Sequence, residues 1–164
     1  MIDNRVSPQE WQRQNTRDEI VAHIQRVQHY LDTMQRNLHE RSLVHDASKL
    51  QQPELDGFVA LHEILRTHGY GSPEYVASLA SGTVQHHYAA NDHHPEHYPN
   101  GIRGMSLMAL MEMLADWKAA SERYQDPALA RLRLNLARFG VGEELAAILK
   151  NTLDELEWEY SDNG

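Results

Sequence analysis

The chain has no cysteine, only two phenylalanines, six prolines and no long apolar run. Without cysteine there is no disulfide framework, no thiolate zinc site and no cysteine nucleophile, and nothing calls for an oxidising compartment. Positive charge is scarce as well: 15 Lys and Arg stand against 24 Asp and Glu, a formal charge of −9. That deficit opposes the counterion release on which binding to duplex nucleic acid depends, and the attraction that an anionic membrane surface requires. Neither is an expected partner. The stretch Met1 to Glu10 lacks an apolar signal-like core, and the most apolar run, Met105 to Trp117, is interrupted by Glu112 and Asp116. The expected location is therefore the cytoplasm. At 164 residues a single domain spanning 1–164 is the default, large enough to bury a core. What the chain has in excess is histidine, 11 residues, five of them between His86 and His97.

No window alternates apolar and polar residues long enough to read as a strand, whereas several repeat at period 3.6 between capping signals. The chain is predicted all-α, with six or seven helices. The first is predicted to open at the capping box Thr16-Arg-Asp-Glu19 and to run to about Glu40. Its apolar residues Ile20, Ile24, Val27, Leu31, Met34 and Leu38 alternate spacings of four and three, one face expected to pack on a core. A short helix is expected over Leu43 to Leu50, and a longer one from Pro53 to His68 with Gly69 past its end. The next, Pro73 to about Asn91, has Ser72 as N-cap. Asp92 to Gly104, with two prolines and two glycines, reads as a loop. Ser106 to Tyr124 is the most apolar helix; two more follow, from Asp126-Pro127 to near Gly140 and from Glu143 to Tyr160.

Helical phase sorts the histidines. His23 falls near the apolar stripe of the first helix and is expected to face inward, either as a buried imidazole bonded to a carbonyl or as a metal ligand, while His29 points away. In Val44-His45-Asp46-Ala-Ser-Lys49, an imidazole nitrogen and a hard carboxylate oxygen are offered side by side, a mixture suited to Mn, Fe, Co, Ni or Zn, and Lys49 shares the face of His45. His87 is the expected inward member of the His86-His87 pair, with Asn91 one turn later. His93-His94 follows at the helix exit, where a loop can aim side chains into a cleft. In the apolar helix, Asp116 lies with Ala109, Glu112 and Ala119. A buried carboxylate there must be paired, with Lys118 or Arg123, or bound to a metal, with Glu112 one turn away as its support.

The order His23, His45-Asp46, His87, His93-His94, Asp116 resembles the HD-domain superfamily over about His23 to Ala120. His23-Ile-Gln-Arg-Val27 is similar to the opening helix of that fold, and His45-Asp-Ala-Ser-Lys49 to its signature helix. His93-His-Pro-Glu-His-Tyr-Pro-Asn-Gly101 with Ala115-Asp116 is similar to elements of the HD-GYP phosphodiesterases, but with shorter spacing and no intact Gly-Tyr-Pro triplet. The closer likeness is to small phage and bacterial HD-type proteins carrying His-His-Pro-Glu-His-Tyr and Glu-Met-Leu-Ala-Asp-Trp-Lys.

That resemblance implies an HD-type helical bundle, with its motif core at about 16–125 and C-terminal helices at 126–160. It implies one or two divalent transition metal ions held by His23, His45, Asp46 and Asp116, with Asp46 bridging to His87 and the His93/His94 pair. The activity implied is hydrolysis of a small, nucleotide-like phosphate ester by metal-activated water, with Asp46 and Lys49 as the catalytic residues. Arg123, Arg131, Arg133 and Arg138 either recruit that anion or form a solvated face. A di-iron oxygenase and a non-catalytic nucleotide-binding or inhibitor protein are the alternatives, and a homodimer is compatible with the acidic tail Leu153 to Tyr160.

Overall fold

A computed structural model describes residues 7–69, 71–123 and 128–158. The described residues are helical without a strand, in accord with the all-α expectation. Among the described residues there are seven α-helices: α1 (Pro8–Val44), α2 (Glu54–His68), α3 (Pro73–Ser78), α4 (Gly82–Ala90), α5 (Leu107–Arg123), α6 (Ala128–Arg138) and α7 (Glu143–Glu155). Short 3-10 turns occupy Ala47–Leu50, Pro95–His97 and Gly101–Gly104. No described helix is long and apolar enough to cross a membrane. The chain divides into two compact units, the first ending at Glu40 and the second beginning at Arg41.

The first unit is the greater part of α1. The helix begins eight residues before the expected Thr16, because Ser7-Pro-Gln-Glu10 is itself a capping box with proline at the first helical position. Ser7 Oγ accepts from the Glu10 amide at 3.2 Å and Glu10 Oε2 accepts from the Ser7 amide at 3.0 Å. The stripe expected to pack on a core is instead open: Ile20, Ile24, Val27, Leu31 and Met34 are exposed, and α1 has no buried residue. Periodic spacing reports that a helix is amphipathic, not what covers it.

In the second unit the core joins α5, α6 and α7 through Met113, Leu114, Trp117, Leu132, Leu149 and Leu153. Each such side chain, fully buried, contributes roughly 1.5–3 kcal/mol of apolar transfer. The expected helix over Pro73 to Asn91 is broken. Ser81 caps α4 by accepting from the Val84 amide, and Gly82, which would cost about 1 kcal/mol inside a helix, starts the new one. The short helix expected over Leu43 to Leu50 is absorbed into the end of α1 and a 3-10 turn. Between them Asp46 adopts a left-handed conformation, φ 54°, that aspartate tolerates better than most residues. Tyr124 to Pro127 and residues 159–160, which the expected helix ends include, lie outside the described residues.

Candidate metal centre

Five stretches of the second unit deliver side chains to one place. The turn after α1 supplies His45 and Asp46, α2 supplies Glu54, α4 supplies His87, the following loop supplies His93 and His94, and α5 supplies Glu112 and Asp116. Asp46 is the hub. Its Oδ1 lies 3.2 Å from His87 Nε2 and 3.4 Å from His93 Nε2, and its Oδ2 lies 3.5 Å from His45 Nε2. Asp116 Oδ1 is 3.7 Å from the same His45 Nε2, and His94 Nε2 is 2.9 Å from His87 Nε2.

Behind the rings stand two carboxylates. Glu112 Oε1 is 2.8 Å from His45 Nδ1 and 3.1 Å from His93 Nδ1, while its Oε2 accepts from Arg41 Nε at 2.6 Å. Arg41 also holds Asp92 through both terminal nitrogens. Glu54, fully buried, places Oε2 2.9 Å from His87 Nδ1 and Oε1 2.7 Å from His86 Nδ1, and accepts from Ser48 Oγ. Three imidazoles thus face carboxylates with Nδ1 and turn Nε2 toward Asp46. A carboxylate that accepts Nδ1–H fixes the tautomer, leaving the Nε2 lone pair available to an ion.

The electrostatics are those of a ligand set. Burial pushes the Asp46 carboxyl up, but the facing His87 and His93 rings and the Lys49 ammonium, 2.5 Å from Oδ2, outweigh it and hold Asp46 well below the usual carboxylate range. Asp116 is also held low: burial acts upward, and His45, His94 and Lys49 together prevail. His94 is pushed down to about 3, first by burial and then by the charge of His93 and His87, so it is a neutral donor at pH 7. Two buried atoms, Asp46 Oδ1 and His93 Nε2, have no hydrogen bond.

Donor atoms about 2.1 Å from a shared ion stand roughly 3–4 Å from each other. Asp46, His87, His93 and His94 come close to that demand, as do His45, Asp46 and Asp116: in both groups the donor atoms lie within 4.8 Å of one another, so a small inward adjustment would let them share an ion. His45, His93 and Glu112 form a third such group. Six of the seven expected ligands are therefore brought together. His23 is not among them: it is exposed, in the first unit, because the apolar stripe that was to carry it inward is itself open. Of the paired histidines, His87 faces inward while His86 is largely exposed and reaches Glu54, and both His93 and His94 join the cluster. Glu112 has the supporting position expected of it. Glu54 and Arg41 were not anticipated.

The sequence profile of the DUF5662 family, described as a family of unknown function, matches residues 12–155. The chain belongs to that family. No curated protein and no solved structure matches it significantly.

In this DUF5662 protein a cleft of about 350 Å³ opens beside the cluster, with Asp46, His94 and Asp116 on its wall. Lys49, Arg123 and Arg138 also line it, beside the acidic Asp46, Glu96 and Asp116. Lys49 Nζ lies 5.0 Å above the Phe58 ring, and Arg138 is held by Glu96 at 2.7 Å. Of the other arginines, Arg133 is exposed and the side chain of Arg131 lies outside the described residues.

Proposed function

We propose that the protein is a metal-dependent phosphohydrolase acting on a small, nucleotide-like phosphate ester, with one or two divalent transition metal ions held by His45, Asp46, His87, His93, His94 and Asp116. The observation that carries this reading is the pair Asp46 Oδ1 and His93 Nε2, buried 3.4 Å apart without a hydrogen bond. Leaving such groups unpaired costs on the order of 1–3 kcal/mol each, a cost that a cation removes. Their order along the chain, similar to that of HD-domain phosphohydrolases, supports the same conclusion.

When bound, the ion supplies Lewis acidity and lowers the pKa of coordinated water. The chain's own residues do the rest. Glu112 and Glu54 hold the Nδ1 faces of the rings, so the Nε2 lone pairs stay aimed at the ion. Asp46, common to two ligand groups, is the natural bridge if two ions bind. Lys49 sits at the mouth of the cluster, where its ammonium can meet a phosphate oxygen as charge develops there. The cleft falls within the range of roughly 300–1,000 Å³ usual for small-molecule sites.

The test is elemental analysis, followed by phosphate release from phosphomonoesters, nucleotides and cyclic dinucleotides with Mn, Fe, Co, Ni and Zn. Activity is expected with at least one ion and is lost in His45→Ala and Asp46→Ala. Silence of the whole panel under every metal overturns the proposal. The three imidazoles grouped with Asp46 also suit an iron pair. Two irons per chain with oxygen uptake and no phosphate release would mark that chemistry instead.

A further inference from the structure

We infer that Asn135 reads the part of the substrate that is not phosphate, and that this part carries a planar edge with a hydrogen-bond donor beside an acceptor, as nucleobases and cyclic amides do. The inference rests on the phosphohydrolase reading for the phosphate end of the ligand. Its own ground is an amide that lines the cleft and has no hydrogen bond among the described residues.

Leu132 and Leu136 on α6 and Phe139 just past its end are apolar at spacings of four and three. Leu132 belongs to the core and the other two pack against it. Asn135 interrupts this face. It is only 4% exposed, and among the described residues its side chain makes no hydrogen bond. It lines the same cleft as Asp46 and Asp116, with Arg138 one turn further on. A carboxamide has an acceptor and two donors; neither polar atom of Asn135 is among the fully buried side-chain atoms that lack a partner, so they open to the cleft that the residue lines, where a ligand would meet them.

The surroundings suit a flat group. Trp117 and Phe139, which also line the cleft, are stacked with ring centroids 5.9 Å apart and planes within 4°. A ring entering beside them meets aromatic surface, while its phosphate end lies toward Lys49 and the cluster. The carboxamide can then donate from Nδ2 and accept at Oδ1 along one edge of that ring, the bidentate geometry that asparagine uses on adenine. A site built around such a pair rejects a ligand lacking it, because that ligand shuts water from the amide without replacing its hydrogen bonds.

The test compares the four ribonucleoside 5′-monophosphates with ribose 5-phosphate, which has the phosphate and sugar but no such edge. Affinities are measured by calorimetry on chelator-treated protein, where no turnover intrudes, and kcat/KM on protein loaded with its metal. At least one nucleoside monophosphate should be preferred over ribose 5-phosphate by tenfold or more. In Asn135→Leu that ratio should fall about tenfold, chiefly through KM, within the range for two lost hydrogen bonds. Asn135→Asp preserves shape but removes the donor, so a reduced or altered base preference in a normally melting variant excludes misfolding as the cause. Equal binding of all five ligands by the native protein, or an unchanged ratio in both variants, overturns the inference. If no phosphate ester is turned over with any metal, the phosphohydrolase reading fails, and the calorimetric ratio still decides the role of Asn135.

Discussion

Glu54 Oε2 lies 2.9 Å from His87 Nδ1, and both side chains are closed to solvent. The carboxylate has no counter-charge from lysine or arginine among its hydrogen bonds, which go to His86, His87 and Ser48. Its service is to the rings. Carboxylates of this kind typically alter metal affinity by about 10–100-fold. Glu54→Ala should therefore weaken binding by that factor in a chelator competition assay. Glu54→Gln, which keeps an acceptor, should weaken it less. Unchanged affinity in Glu54→Ala would show that His87 is not a ligand.

With the proposed ion bound, the buried Asp46 Oδ1 and His93 Nε2 gain a partner, so the loaded protein should be more stable than the metal-free form. A ligand at a hundred times its Kd adds about 2.7 kcal/mol to stability, and for a chain of this size that corresponds to a melting temperature higher by about 5–10 °C. Thermal melts with and without Mn, Fe, Co, Ni or Zn should reveal the shift for the native ion. Asp46→Asn removes the charge shared by two ligand groups while retaining the shape, and should abolish most of it. A native protein indifferent to all five ions contradicts the metal site.

The sequence makes the helices legible because their caps and periodicity are local, and it misleads where two local signals compete. Thr16 and Ser7 both begin capping boxes, and the earlier one, backed by Pro8, starts the helix. The ligands stand out for another reason: adjacent His-Asp and His-His pairs beside an all-helical pattern have few other uses. Glu54 was invisible, since an acid in the first turn of a helix is ordinarily explained by the helix dipole. Only the approach of α4, which brings His86 and His87 over it, shows otherwise. His23, expected to face inward, is exposed, because helical phase identifies a face and is silent on its cover.

His45 gives the metal-free site a definite pH response. Its pKa is raised from 6.5 to about 9, with Asp116 as the largest cause and Glu112 and Asp46 adding to it against burial. A folded pKa above the unfolded one means that the protonated ring stabilises the fold fully below about 6.5, and that this stability is lost as pH rises through 9. Chelator-treated protein should thus melt at progressively lower temperature from pH 6.5 to 9, and His45→Ala should flatten the trend. Metal affinity should move the opposite way, increasing over the same interval, because the ring must release its proton to ligate. A flat melting profile for metal-free native protein would refute the assignment.

Gly57 tests the framework that brings Glu54 under His87. A Cβ built there would fall 1.9 Å from Thr83 Oγ1 and 2.6 Å from Thr83 Cβ, so α2 and α4 approach at a point where no side chain fits. Helical propensity alone favours Gly57→Ala by about 1 kcal/mol, whereas overpacking typically costs about 1–3 kcal/mol. The contact includes Cβ, so rotating Thr83 cannot relieve it, and the clash should prevail. Gly57→Ala is expected to lower the melting temperature and, by shifting α4 against α2, to loosen the Glu54–His87 pair and weaken metal binding. Thr83→Gly in the same chain should restore metal affinity, though not full stability, since it adds a second helical glycine. A higher melting temperature for Gly57→Ala alone would mean that the helices stand farther apart than this contact requires.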